Sequence, residues 1–435
     1  MYFVQQTTVR VATRFPDPFG RDRRRYLSWF RRHREHLYDA DFQARTIEEA
    51  AAPSPAAPST VDLAPPLART RSSTPGINML GYFTAESGVG EAARAISRAI
   101  ETACIPVVRN NLDAGPELRH GDTTYRDFPA DNPHAINLVH TNADMLRATR
   151  KQVGKAYFRG RTNIGYWLWE LPEFPDRWSG RFRHLDEVWT PSSFCVESIA
   201  AKSSLPVVRV PIPIDPSVAA PLERSHFGLP DDVYLFLFAF DFQSYFERKN
   251  PLAVIEAFRL AFSERDPALL LVKSSNGSRF PDRLQQLKDA AAKHRVRIHD
   301  GYLDKNEMRN LLRLCDSYVS LHRSEGFGLS LAEAMAFAKP VIATGYSANL
   351  DYMNADNGLL VRHRLVEIER DVGPYAKGQV WADPDVEQAA AYMRRVFGDA
   401  AFAAEIGRHA QQDVQRELGT ARVGRLIERR LGSLR

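Results

Sequence analysis

From residue 76 onward, short apolar runs alternate with longer stretches in which apolar residues recur at helical spacing. In the first half of the chain, this pattern predicts strands at residues 77–83, 135–140, 161–169 and 187–190. It predicts helices at residues 90–102 and 192–202. Residues 207–215 end the series in prolines, which cannot continue a central strand or a helix. The pattern therefore places a domain boundary there.

The same alternation of predicted strands and helices resumes after the prolines. Residues 233–240 form a continuous apolar run, as expected of a strand that is covered on both faces. Further strands are predicted at residues 268–273, 296–299, 317–321 and 340–344, and helices at 251–263, 281–294, 305–315 and 330–338. Alternating units of this length predict an α/β fold with two parallel-sheet domains facing across a cleft. Ligands of such sheets bind outside the carboxyl ends of the strands.

Composition, together with the pattern of strands and helices, divides the chain into five segments. Residues 51–75 are rich in Pro, Ala and Ser and are predicted to form a linker. They separate a basic N-terminal appendage, residues 1–50, from an N-terminal domain at 76–220 and a C-terminal domain at 221–400. Residues 401–435 are predicted to form helices that pack back towards the N-terminal domain.

The overall composition is typical of a water-soluble globular protein, with 44% hydrophobic and 26% charged residues. No apolar run approaches the ~18–20 residues that span a bilayer, and the N-terminus lacks the apolar stretch of a secretory signal. The three cysteines, Cys104, Cys195 and Cys315, lie far apart without metal-ligand spacing. These features predict a cytoplasmic protein.

The net charge of +5 is unevenly distributed. Residues 21–34 contain seven arginines interleaved with Tyr26, Trp29 and Phe30. A stretch of this kind can lie on an anionic membrane surface or on nucleic acid, and the alternative is a solvated helix that binds nothing.

The chemically most informative segment is residues 324–333, between a predicted strand and a predicted helix. Gly326 and Gly328 would let a ligand approach the backbone, and the free N–H groups at the helix start suit a phosphate. Glu325 lies in the loop and Glu333 in the first turn or so of the helix. The structural alternative is a capping box, in which Ser330 caps the helix and Glu333 reaches back to it.

This segment resembles the Glu-x7-Glu signature of the retaining glycosyltransferases of family 4, the group 1 transferases with the GT-B fold. The similarity extends from Gly76 to about Leu418 and includes residues 88–94, 169–175, 188–194, 247–251 and 349–353. It implies two Rossmann-like domains that transfer a hexose from a UDP- or GDP-sugar to a glycan or a lipid-linked acceptor. It implies neither a cofactor nor a metal, and it favours contact of residues 1–50 with the inner membrane face over nucleic acid.

The resemblance also implies roles for individual residues. Glu325 would contact the transferred sugar and Glu333 the ribose. The donor-binding amides would be those of Gly326, Phe327, Gly328, Leu329 and Ser330. Lys249 matches the lysine that clamps the diphosphate. Ser244 stands where the family has an arginine, so Arg248 or Lys273 is the candidate for the second charge.

Three residues of the first domain complete the candidate site. Gly88 and Gly90 resemble the glycine loop over the donor phosphates, although a plain strand-to-helix turn would explain them equally. His140 ends a predicted strand where the family often has a histidine beside the reacting sugar, and its alternative is a structural role.

Residues 383–385 resemble a metal-binding motif but are interpreted as the start of a helix. Asp383-Pro-Asp385 matches the manganese-binding string of the other transferase fold, but we interpret Asp383 as a helix N-cap followed by proline.

Other functions compatible with the pattern are a sugar-nucleotide epimerase of the same fold and a non-catalytic, degenerate transferase scaffold. A nicotinamide-dependent dehydrogenase would need Gly-x-Gly-x-x-Gly, which residues 88–93 do not complete.

Overall fold

The computed structural model describes residues 76–113, 115, 119–292 and 294–434. The predicted basic appendage, its membrane contact and the linker at residues 51–75 lie outside the described residues.

The first domain contains a parallel sheet in the order β2-β1-β3-β4-β5-β6. Its strands are β1 (Ile77–Gly81), β2 (Val107–Asn111), β3 (Ile136–His140), β4 (Thr162–Tyr166), β5 (Glu187–Thr190) and β6 (Val207–Arg209). Strand β2 was not predicted, because Arg109, Asn110 and Asn111 interrupt the apolar pattern at this sheet edge. Strand β4 is shorter than predicted, because Trp167 and Trp169 belong to the core beyond its end.

Four α-helices accompany this sheet: α1 (Gly88–Thr102), α2 (Leu146–Val153), α3 (Asp176–Ser179) and α4 (Ser193–Ala200). Ser87 caps α1 by accepting a hydrogen bond from the Gly90 amide at 3.2 Å. Ser192 caps α4 by accepting one from the Cys195 amide at 3.2 Å. Both caps satisfy amides that the helix itself cannot pair.

The second domain contains a parallel sheet in the order β12-β11-β10-β7-β8-β9. Its strands are β7 (Tyr234–Asp241), β8 (Ala268–Ser275), β9 (Val296–Asp300), β10 (Ser317–Ser320), β11 (Val341–Thr344) and β12 (Leu359–Val361). Along β7, Leu235 and Leu237 belong to one buried apolar cluster, whereas Phe236 and Phe238 belong to another. The central strand is therefore covered on both faces, which its continuous apolar run predicted.

The remaining helices are α5 (Phe246–Lys249), α6 (Pro251–Ala261), α7 (Pro281–Ala291), α8 (Lys305–Leu314), α9 (Leu329–Ala336), α10 (Val386–Gly398), α11 (Ala400–Leu418) and α12 (Thr420–Gly432). Helix α12 packs against α1 of the first domain. A Cβ atom on Gly424 would lie 2.6 Å from the Ala99 carbonyl oxygen, so the two backbones are in close contact. Within the described residues, no helix combines the length and the apolar character that crossing a bilayer requires.

An antiparallel pair, β13 (His363–Glu367) and β14 (Val380–Pro384), precedes α10. Asp383 lies within β14 and pairs with Arg323 at 3.0 Å, so its predicted role as a helix cap is wrong. Asp385 is the N-cap instead and accepts a hydrogen bond from the Gln388 amide at 2.9 Å. The cap lies two residues later because Pro384 remains in the strand.

The α/β class predicted from the alternating pattern, and the GT-B architecture that the family resemblance implies, are confirmed by the two parallel six-stranded sheets. In each sheet the strand order reverses once, between β1 and β3 and between β7 and β10. In sheets of this type the crevice outside such a reversal is where ligands bind.

Candidate active site

The candidate residues of the second domain lie after the two strands at its reversal point. Arg248 and Lys249 are in the short helix α5 that follows β7, and Glu325 is in the loop that follows β10. Because β7 and β10 are adjacent and parallel, their carboxyl ends bring these three side chains together.

The Glu325 carboxylate is buried between two cations. One oxygen pairs with Lys249 Nζ and the other lies 3.2 Å from Arg248 Nη1. Burial by itself raises the pKa of Glu325, but the charges of Lys249 and Arg248 outweigh this effect and lower the pKa to about 2. The group therefore carries a net positive charge, and Arg248 is buried, with 4% of its surface exposed.

The loop around Glu325 is also bound to the first domain. The Ser192 hydroxyl donates to the Gly326 carbonyl at 2.8 Å, and the Ser324 hydroxyl donates to the Glu170 carbonyl. A Cβ atom on Gly326 would lie 3.5 Å from the Trp169 carbonyl oxygen. In this conformation the atoms nearest to Gly326 are therefore those of the first domain.

Helix α9 begins at Leu329 without a side-chain cap. Gly328 occupies the N-cap position with φ of +84°, and a Cβ atom there would lie 2.7 Å from the Tyr352 hydroxyl. Ser330 lies inside the helix, so the capping box considered for Ser330 and Glu333 is wrong. The first amides of α9 are consequently available to an anion at the carboxyl edge of the sheet.

Glu333 lies on α9 and is half-buried. Its carboxylate makes no hydrogen bond or ion pair among the described residues. Burial, and then the negative charge of Glu91, raises the pKa of Glu333 to about 7, while Arg309 and Lys305 oppose the shift. Glu91 itself, on α1, pairs with Lys305 on α8 at 2.9 Å. Residues of both domains thus define the electrostatics around Glu333.

Gly88 and Gly90 form the first turn of α1 rather than a loop. A Cβ atom on Gly90 would lie 2.2 Å from the Ala85 carbonyl oxygen, whereas one on Gly88 would meet nothing within 4 Å. The strand-to-helix turn therefore accounts for Gly90.

His140 lies at the carboxyl end of β3, beside the reversal point of the first sheet. It is fully buried and stacks on Tyr166 with ring centroids 4.5 Å apart. Burial lowers the pKa of His140 to about 4, so the ring is neutral at physiological pH. Neither ring nitrogen has a hydrogen-bond partner in the described part of the chain.

Lys273 lies in β8, and its ammonium group donates to the carbonyls of Ser274 at 2.7 Å and Gly301 at 2.5 Å. Burial lowers the pKa of Lys273 to about 8. Of the two candidates for the second cation, only Arg248 contacts Glu325.

Two residues beside this group escaped the sequence analysis. His322 is buried two residues after β10, with its Nδ1 3.1 Å from the Ser320 hydroxyl. Tyr375, in the segment between β13 and β14, donates to the Glu170 carboxylate at 3.1 Å. The Ser-x-His spacing before the motif was a usable signal for His322, whereas Tyr375 is distant in sequence and gave none.

Among the described residues, no group of three or more His, Cys, Asp or Glu side chains is arranged to hold a metal ion.

The fold of this chain is similar to the folds of several solved structures. Anabaena Alr3699/HepE in complex with UDP and glucose shares 14% identity and a TM-score of 0.57, over 83% of this chain and 100% of that one. The sucrose-phosphate synthase of Thermosynechococcus elongatus shares 16% identity and a TM-score of 0.57, over 83% and 99%. A glycosyltransferase of Rickettsia africae shares 15% identity and a TM-score of 0.58, over 82% and 97%.

At these identities the structures establish a common fold. A search of curated proteins found no match. The sequence of residues 223–413, however, matches the family described as "Glycosyl transferases group 1". This range contains Lys249, Glu325 and Glu333. The chain therefore has a GT-B fold, and its second domain is similar in sequence to the group 1 glycosyltransferases.

Proposed function

We propose that the protein is a retaining hexosyltransferase of family 4 that uses a nucleotide-diphosphate sugar, with UDP-glucose as the first donor to test. The observation that carries this proposal is the buried Glu325–Lys249–Arg248 group beside the uncapped start of α9. The acceptor is a glycan or a lipid-linked glycan. The similarity to a protein crystallised with UDP and glucose supports the choice of donor.

The charge balance of the group suits a diphosphate. Two cations face one carboxylate, so one positive charge is left to meet an incoming anion. The amides at the start of α9 add the positive end of a helix dipole. As the sugar–phosphate bond breaks, negative charge grows on the leaving diphosphate, and fixed positive groups stabilise that charge.

Glu325 and Glu333 then act on different parts of the donor. The Glu325 carboxylate is held ionised and immobile, and it orients the hydroxyls of the transferred hexose. The Glu333 carboxylate has no partner within the described part of the chain, so it can accept hydrogen bonds from the ribose hydroxyls. In retention, the acceptor attacks the face from which the diphosphate departs, and the departing phosphate assists its deprotonation.

We further propose that turnover requires no divalent metal, because Lys249 and Arg248 supply the positive charge that a metal would contribute. Activity should then be equal in EDTA and in Mn²⁺, after correction for ionic strength. Loss of turnover in EDTA with recovery in Mn²⁺ would show that this part of the proposal is wrong.

Nucleotide binding tests the donor site directly. UDP, GDP, ADP and their sugar conjugates are compared by thermal shift and calorimetry, since a ligand that binds only the folded state raises its stability. One nucleotide should bind, and Glu333→Gln should weaken its binding at pH 7. Glu387→Gln, on the exposed side of α10, is the matched control and should leave the affinity unchanged. Equal affinity of the wild type and Glu333→Gln at pH 7 would contradict the assigned site.

Product analysis separates transfer from epimerisation. With donor alone, a transferase releases at most a little free sugar, whereas an epimerase converts the nucleotide sugar into its epimer. Accumulation of an epimer without acceptor would overturn the proposed function.

A further inference from the structure

A cavity of about 620 Å³ on the first domain is lined almost entirely by cationic side chains. Six of the lining residues are arginines or lysines: Arg147, Arg150, Lys151, Lys155, Arg181 and Arg183. His184 also lines the cavity, and no acidic residue is present in the lining. The cavity is separate from the Glu325 group, and the candidate active site uses none of its residues.

Three segments build this lining: α2, the turn that begins at Lys155, and the turn at residues 181–184. Arg147, Arg150 and Lys151 are spaced i, i+3 and i+4 on α2, so they share one face of the helix. Leu146 and Thr149 occupy the buried face of α2 and attach it to the domain. The turn at residues 181–184 brings the remaining arginines and His184 to the same space.

The positive charge of the cavity has no internal compensation. None of its six cations forms an ion pair within the described residues, in contrast to Arg248 and Lys249. The Nε of Arg181 is buried and without a hydrogen-bond partner there. Arg183 donates to His184 at 3.2 Å, so His184 accepts and is neutral. Burial, and then the charges of neighbouring arginines, lower the pKa of His184 and of Arg150, in line with the set of cations that shares this cavity.

Crowding of this kind opposes folding, and a bound anion would relieve it. The cavity is concave and encloses space for several non-hydrogen groups, which favours a discrete ligand over a flat membrane surface. Among the lining residues there is no Phe, Tyr or Trp side chain on which a nucleobase could stack, which disfavours single-stranded nucleic acid.

Helix α2 carries three of the cations of the cavity and follows β3, whose last residue is the candidate site residue His140. The cavity therefore belongs to the same domain as this part of the candidate active site.

We propose that this cavity binds closely spaced anionic groups of an acidic glycan acceptor. The carboxylate, phosphate or sulfate groups of the saccharide would pair with the arginines and lysines of α2 and of residues 181–183. The identification of the ligand as the acceptor rests on the proposed function, whereas anion binding by the cavity does not.

The test measures binding of an acidic oligosaccharide to the full chain without donor. Oligogalacturonate and a neutral maltooligosaccharide of equal length serve as probes in calorimetry at fixed low salt. The wild type should bind the acidic probe and not the neutral one. Arg147→Gln/Lys151→Gln should weaken binding of the acidic probe at least about tenfold, because two charge-assisted contacts are lost.

The matched control is Arg425→Gln/Arg429→Gln. These two exposed arginines have the same i, i+4 spacing on α12, and the change in net charge is the same. The control should bind the acidic probe as the wild type does. Equal weakening in both double variants would mean general charge attraction and would overturn the proposal.

Vesicles of phosphatidylglycerol and a short single-stranded RNA are the competing ligands. If Arg147→Gln/Lys151→Gln impaired binding to either of these but left oligogalacturonate binding intact, the cavity would serve another class of partner and the proposal would be wrong. Absence of oligogalacturonate binding by the wild type would also overturn it.

Failure of this inference can be distinguished from failure of the proposed function. The same proteins are titrated with the nucleotide identified above. The double variant of α2 should keep the nucleotide response, which also shows that it is folded, and Glu333→Gln should keep oligogalacturonate binding. Loss of nucleotide binding by the wild type contradicts only the donor site, and loss of acidic-probe binding contradicts only the cavity.

Discussion

At the scale of single residues, the structure places an ionised carboxylate where solvent cannot stabilise it. The Glu325 side chain is 9% exposed and that of Arg248 5% exposed. Removing one partner of such a group leaves the other charges buried without compensation, which costs more than the intact pair contributes. The integrity of this group therefore depends on all three members.

Glu325→Gln should lower the free energy of unfolding by about 3 kcal/mol in urea denaturation at pH 7. The folded-state pKa of about 2 lies below the ordinary value of 4.5, so this stabilisation is present above pH 4.5 and is lost as the pH falls towards 2. Glu256→Gln removes an exposed carboxylate that pairs with Arg259, and it should change the unfolding free energy by less than about 1 kcal/mol. Equal effects of the two substitutions would contradict the buried ion group.

Glu333 should make nucleotide binding depend on pH. Its pKa of about 7 lies above the ordinary 4.5, so the folded protein keeps a proton that the unfolded chain releases, and stability falls as the pH rises from 4.5 to 7. Ribose binding favours the ionised carboxylate. The Kd should therefore fall by up to roughly tenfold per pH unit between pH 5 and 7 and then level off.

Glu333→Gln provides the control for this pH profile. Titration of the ligand phosphate is common to both proteins, so the difference between their profiles reports Glu333 alone. Parallel profiles would show that Glu333 does not titrate at the site.

At the scale of elements, the sequence predicted those helices and strands whose pattern is decided by burial. Strand β7 was predicted because both of its faces are covered, and the βα rhythm of the second domain follows from the same cause. Strand β2 escaped because a polar edge strand lacks that pattern. Local geometry at Gly328 and Asp385 also escaped, because helix starts depend on contacts with distant residues such as Tyr352.

The residues of the candidate site, like the helices and strands, were only partly predictable from the sequence. The family resemblance associated Lys249 with Glu325, and the fold explains the association because both residues follow strands at the sheet reversal. It could not choose between Arg248 and Lys273, since each follows or ends a neighbouring strand and only the fold shows which faces Glu325. Tyr375 reaches Glu170 across more than 200 residues, a separation at which local sequence carries no information.

Two glycines should respond in opposite ways to alanine. Gly328→Ala places a Cβ atom at φ of +84° and 2.7 Å from the Tyr352 hydroxyl, so it should destabilise the protein by about 1–3 kcal/mol. Gly88→Ala meets nothing within 4 Å in the first turn of α1 and should be neutral or stabilising by up to about 1 kcal/mol. Thermal denaturation of both variants measures the difference, and destabilisation by Gly88→Ala would contradict the helical assignment of that residue.

At the scale of the whole described chain, α12 belongs to the first domain in space although it ends the second in sequence. Glu187 at the start of β5 is buried, and Arg430 of α12 donates to it through Nε at 2.8 Å. The Ile214 amide donates to the Leu418 carbonyl at 2.8 Å, where the returning chain passes the outgoing one. The domains are thus joined by two adjacent crossings of the chain.

Arg430→Ala should lower the unfolding free energy by about 1–3 kcal/mol, because the Glu187 carboxylate loses its charged donor and stays buried. Arg429→Ala removes the exposed neighbouring arginine of the same helix and should change stability by less than about 0.5 kcal/mol. Urea denaturation of the two variants measures these changes in unfolding free energy. A similar small effect of both would show that α12 is not held through Glu187.

The docking of α12 on α1 has a consequence for biosynthesis. The ribosome makes the partner of α1 about 320 residues after α1 itself, which at ~5–20 residues per second is a delay of roughly 16–64 s. During that time the face of α1 that Gly424 later covers is open to solvent and to other nascent chains. The first domain therefore completes its packing only after residues 420–432 have been made, and messages truncated before residue 420 should yield a product that chaperones retain.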